Sequence, residues 1–148
     1  MNVFIFSFNF NPVSVKAADQ KIAQLNSELS TQKIIQKHCD SYRLCRKVIE
    51  DCKSAKDPKA YSTKHQAEYH LHDSLKKELQ NLGVTKIPSS DKIKKRIENL
   101  ESEQTASVRE KQGLQEKQKL LNTIQQNFNV LLDAPEMQPP LSEKENTL

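Results

Sequence analysis

Four histidines, three cysteines and three tyrosines carry the reactive chemistry available to this 148-residue chain. His70 and His72 flank Leu71. On a β-strand that spacing turns two imidazoles toward one metal ion. On a helix, positions two apart diverge by about 200° and cannot share an ion. The surrounding sequence repeats at helical spacing, so the pair is not read as a metal site. His65, Glu68 and His72, at steps of three and four, do share a helical face. They supply too few ligands for a metal and read as a polar stripe that hydrogen-bonds across a helix hairpin. Cys39, Cys45 and Cys52, near His38, follow C-x5-C-x6-C with no paired C-x2-C knuckle. Cys45 and Cys52 fall seven apart on an apolar row, which suits small core residues. There is no phosphate-cradling glycine loop and no nucleophile elbow. No catalytic residue, metal or cofactor is therefore expected.

Charge offers a second chemistry. Twenty-three Lys/Arg and 19 Asp/Glu give +4, and residues 31–57 hold seven basic against four acidic side chains. Arg43, Arg46 and Lys47, with Lys53, form one basic cluster; Lys92, Lys95 and Arg96 form another. No aromatic side chains interleave with them as stacking platforms. Nucleic-acid contact through these six positions would be to phosphates, weak, salt-sensitive and blind to sequence. The segment 134–148 is net negative. An odd cysteine count without a secretory signal fits a reducing cytoplasm. No apolar run approaches the ~20 residues that span a bilayer.

These groups sit on helices. Two glycines, 28% charged residues and a mean hydropathy of −0.77 favour long polar helices with apolar stripes over a large compact core. Three helices are predicted, over 17–54, 59–82 and 91–133. In the first, Ile22, Leu25 and Leu29 are out of register with Ile35, Tyr42 and Ile49, which predicts a slip or bend near Thr31 to Lys33. Pro58 closes it. In the second, Ala67, Leu71, Leu75, Leu79 and Leu82 line one side, and Gly83 follows as a left-handed cap. Ser89 or Ser90 caps the third, with Asp91 in its first turn. There, Leu100, Leu114, Leu121 and Phe128 share a heptad row that Ser107 interrupts, while the companion row is polar in its middle. That is half a coiled-coil seam, suited to weak or partner-dependent pairing. Phe4, Phe6, Phe8 and Phe10 alternate at a strand-like period, and Pro135, Pro139 and Pro140 exclude a helix beyond Asp133. The expected organisation is an all-α hairpin or coiled-coil-like arrangement over 16–133, an atypical Phe-rich segment over 1–15 that is disordered or loosely docked, and a disordered tail over 134–148.

The order of several weak motifs resembles the carboxy-terminal helical region of relaxases, the mobilisation nucleases of Firmicutes plasmids and conjugative elements. Tyr42, Arg46 and Val48 match a Tyr-rich basic first helix; His65, Ala67 and Glu68 match the start of the next. Leu82-Gly83 and Lys86-Ile87-Pro88 match the linker, and Asn127, Phe128, Leu131 and Leu132 match the end of the long charged helix. The chain departs from the family at Ser107 to Lys111, where a Leu-Tyr-x-Glu-Tyr run is usual, and at Gln125, where a lysine is usual. The resemblance covers about 17–133. It implies a non-catalytic, cytoplasmic module of a protein of conjugative DNA transfer, a truncated or split relaxase without the nuclease domain. The partners it implies are DNA and a relaxase nuclease domain or other mobilisation proteins; the half seam of the third helix adds self-association through the helices. The alternative is a stand-alone coiled-coil protein that binds other proteins.

Overall fold

A computed structural model of the chain describes residues 12–133. The described residues form four helices and no strand: α1 Pro12–Lys53, α2 Pro58–Lys64, α3 Gln66–Asn81 and α4 Ser90–Asp133. The fold is all-α, as the composition predicts. Expectations for residues 1–11 and 134–148 lie outside the described residues; residues 12–15, expected to precede the first helix, belong to α1. Pro12 explains the early start, because its fixed φ and missing N–H suit the first position of a helix.

With 42 and 44 residues, α1 and α4 are each about 63–66 Å long. Asn26 bonds Gln104, and Asp19 pairs with Lys111, so α4 runs antiparallel to the first half of α1. His38 meets Glu78 at 3.3 Å and Tyr42 stacks on His72, so α3 runs antiparallel to the second half. Both approach α1, not each other. One long helix thus carries two shorter pairings laid end to end.

The change of partner accounts for the register slip on α1. Its buried positions include Leu25, Leu29, Ile35, Cys39, Cys45 and Cys52, with Gln32 half-buried between Leu29 and Ile35. Two successive steps of three at that point rotate the buried face from α4 toward α3. The helix is nevertheless unbroken from Pro12 to Lys53, so the slip needs no interruption of the hydrogen-bond ladder.

The core lies where all three long helices meet. Leu25, Leu29, Ile35 and Cys39 of α1 join Leu79 of α3 and Ile93, Ile97 and Leu100 of α4, with Tyr42, Val84 and Ile87 packed against them. The turn between α3 and α4 is closed by Gly83 at φ 81°. Its N–H donates to the Gln80 carbonyl at 3.0 Å, and the Val84 N–H to the Leu79 carbonyl at 2.9 Å. That is the left-handed cap read from the sequence, completed by the Val84 side chain on the core. Ser89 Oγ accepts from the Lys92 N–H at 3.3 Å and caps α4.

Two expectations are corrected. The helix predicted over 59–82 is split at His65, whose φ −108° and ψ 26° end α2 and start α3. Asp57 caps α2 by accepting from the Lys59 and Ala60 N–H groups, and α2 buries no residue. It serves to turn the chain back from α1. The side of α3 drawn through Ala67, Leu71, Leu75, Leu79 and Leu82 is only partly the buried face: Leu75 and Leu79 are buried, but Ala67 is exposed, Leu71 is 47% exposed and Leu82 38%. Positions four apart drift by about 40° per step, so a row of them spirals off its partner.

Candidate functional site

The face of α3 that meets α1 steps by three and four through His65, Glu68, His72, Leu75 and Leu79. This is the spacing of a helix seam. Its second half is apolar and buried; its first half is the polar stripe singled out in the sequence. His65 Nδ1 lies 3.2 Å from Glu68 Oε1, and the His65 ring rests on Tyr61 at 4.4 Å. A hydrogen bond at its own backbone amide, reinforced by His65, holds the Glu68 carboxyl below the usual carboxylate range. His72 stacks on Tyr42 of α1 at 4.5 Å with 25° between the rings. His70 is exposed on another face, so the two histidines diverge. Among the described residues, no three His, Cys, Asp or Glu side chains converge.

Opposite this stripe, Cys39, Cys45 and Cys52 are buried free thiols. Burial pushes the Cys39 and Cys45 thiols up, with Arg43 pulling Cys39 the other way. Cys52 Sγ donates to the Pro58 carbonyl at 3.4 Å. Its hydrogen bond with Tyr69 raises that phenol, and burial raises Tyr61. Both shifts run away from an activated phenolate, the form a nucleophilic tyrosine would need.

The six basic positions divide into two kinds. Arg43 donates to Asp40 Oδ1 at 3.0 Å and to the Pro88 carbonyl, tying α1 to the turn before α4. Arg46 pairs with Glu50 at 2.9 Å, and Arg96 with Glu28 across the α1–α4 seam. Lys47, Lys92 and Lys95 are exposed and form no ion pair among the described residues. Half of the predicted phosphate contacts are thus engaged within the molecule.

The feature that sequence reading missed is the far end of α4. Asn26 beside Gln104 and Asp19 beside Lys111 fix an antiparallel register of equal steps. One further step of seven on each helix puts Pro12, where α1 begins, level with Gln118. Residues 119–133 extend past it. There Leu120 is 61% exposed, Ile124 41% and Leu131 75%, with Phe128 and Leu132 also exposed and Leu121 half-buried. At 100° per residue these six fall within an arc of about 120°, one continuous apolar stripe. The heptad row of Leu114, Leu121 and Phe128 hinted at it, but Leu120, Ile124 and Leu131 lie off that row. Among the described residues, no helix is long and apolar enough to cross a membrane.

No protein family, curated protein or solved structure matches the chain.

Proposed function

We propose that this chain is a non-catalytic helical interaction module, and that its contact surface is the apolar stripe at the end of α4. The observation that carries the reading is that α4 extends past Pro12 of α1 and presents Leu120, Leu121, Ile124, Leu131 and Leu132 where none of the other described helices covers them. A contiguous exposed apolar patch marks an interaction site, whereas scattered single apolar side chains do not. A helix face with anchors three and four apart fits a groove or another helix. The resemblance to relaxase carboxy-terminal regions assigns the partner's class: the nuclease domain of a mobilisation relaxase, or a protein that works with it in conjugative transfer. DNA contact is secondary in this reading, because Arg43, Arg46 and Arg96 already have acceptors inside the fold.

The test is sedimentation velocity of the chain with a Firmicutes relaxase nuclease domain, native against the triple variant L120S/I124S/L131S. These side chains are exposed, so the variant keeps its helix content by circular dichroism. The expected result is a complex with the native chain and at least tenfold weaker association with the variant. Equal association of the two, or no complex at all, refutes the reading.

A further inference from the structure

The α1–α3 seam is secured unevenly along its length. α2 buries no residue, and α3 buries only Leu75 and Leu79, both in its second half. Beneath these two elements α1 nevertheless buries Cys45 and Cys52, with Val48 and Ile49 half-buried. The cover is made of Tyr61, His65, Glu68, Tyr69 and His72, all only half-buried themselves. Its ties to α1 are the stack of His72 on Tyr42 and the bonds of the Cys52 thiol to the Pro58 carbonyl and to Tyr69. Among the described residues, no ion pair joins 58–72 to α1. The α1–α4 seam differs on both counts. It buries Leu25, Leu29, Ile93, Ile97 and Leu100, and Lys33–Glu101, Arg96–Glu28 and Lys111–Asp19 pair across it. Few buried apolar side chains and a half-exposed cover are the marks of a segment that opens locally, ahead of the whole fold.

The chain also supplies the joints for such an opening. Residues 54–57 connect α1 to α2 outside any helix, and His65 interrupts the helix between α2 and α3. The other end of α3 is fixed, because Leu79 and Cys39 lie together in the core where the three long helices meet. We propose that residues 58–72 form a hinged flap, which lifts from α1 by pivoting about Leu75 and Leu79 and gates the thiols of Cys45 and Cys52 while Cys39 stays sealed. The open form bares Tyr42, Cys45, Ile49 and Cys52, an apolar row with steps of three and four, and leaves α4 in place. Small thiol-directed electrophiles then reach the two gated cysteines at a rate set by the flap, not by the stability of the whole chain. The flap makes no use of the α4 stripe, so it stands or falls apart from the partner reading.

The experiment is alkylation of the full native chain by iodoacetamide in increasing, sub-denaturing urea, followed by mass spectrometry of tryptic peptides. Arg43 and Lys47 stand between the cysteines, so trypsin places each on its own peptide. Cys45 and Cys52 are expected to react roughly tenfold or more faster than Cys39. Their rates should be nearly flat in urea, because lifting the flap exposes little surface, while the Cys39 rate climbs steeply with global unfolding. Asp57→Ala removes the cap of α2 and should speed Cys52 about fivefold without changing Cys39. Amide exchange should remain slower over 45–53 than over 67–72. One shared rate and urea dependence for the three thiols overturns the flap. So does equal acceleration of all three by Asp57→Ala. Exchange over 45–53 as fast as over 67–72 also overturns it, since the end of α1 would then be fraying and the cover would not be lifting.

Discussion

Single side chains hold the chemistry of the α1–α3 seam in a quiet state. Glu68 has a folded pKa held below its ordinary value, so it stabilises the fold fully above about 4.3 and loses that contribution as pH falls through the lowered folded value. The stability difference between the native chain and Glu68→Gln, read from urea melts, should be constant near neutrality and shrink below pH 4. A difference that grows on acidification would contradict the assignment. Burial sets the cysteines in the same way. Cys39 and Cys45 have raised thiol pKa values, and all three thiols are buried. Ellman's reagent should therefore label the folded chain slowly, and all three thiols promptly once urea unfolds it. Gly83 is the one described residue with positive φ, and a Cβ built there meets nothing within 4 Å. Gly83→Ala should cost about 1–2 kcal/mol from backbone strain alone. The sequence showed this glycine plainly, because it stands just past the last apolar residue of a helix.

The helices depend on one junction more than on their own length. Leu79 and Leu100 are each 1% exposed where α3 and α4 meet α1. Truncating either to Ala should cost about 2–5 kcal/mol by cavity formation. Leu120→Ala, on the exposed stripe, should stay within about 0.5 kcal/mol. Comparable losses at all three positions would place the core elsewhere. The positions of the helices were legible because Pro58, Gly83 and Ser89 punctuate the chain at their ends. The split at His65 was not, since nothing in Thr63 to Gln66 breaks a helix; the interruption comes from the need to turn back from α1. The buried face of α3 was legible only in part. The leucine row held Leu75 and Leu79, and the polar stripe held His65, Glu68 and His72, but the sequence did not show that the two halves form one seam. The slip near Thr31 to Lys33 was visible as a change of register. Only the fold shows that it marks an exchange of partners.

The described residues form a long helix with two antiparallel partners in tandem, the end of α4 extending past Pro12. Its charge is spread over long surfaces, and three of its six candidate phosphate contacts are held in ion pairs or on a backbone carbonyl. Binding to single-stranded DNA, followed by fluorescence anisotropy, should be weak at low salt and vanish at physiological salt. Changing Arg43, Arg46, Lys47, Lys92, Lys95 and Arg96 together to Gln should abolish it. Tight binding that survives salt would move the functional surface from the apolar stripe to the basic clusters. The sequence displayed those clusters but could not show which cations the fold would engage, because Glu28 and Pro88 are far from Arg96 and Arg43 along the chain. The decisive measurement is amide hydrogen exchange of the chain with and without a relaxase nuclease domain. Protection gained over residues 119–133, with little change around Lys47, Lys92 and Lys95, is the expected result. Protection confined to the basic clusters, or none anywhere, would contradict the assignment of the α4 end as the contact surface.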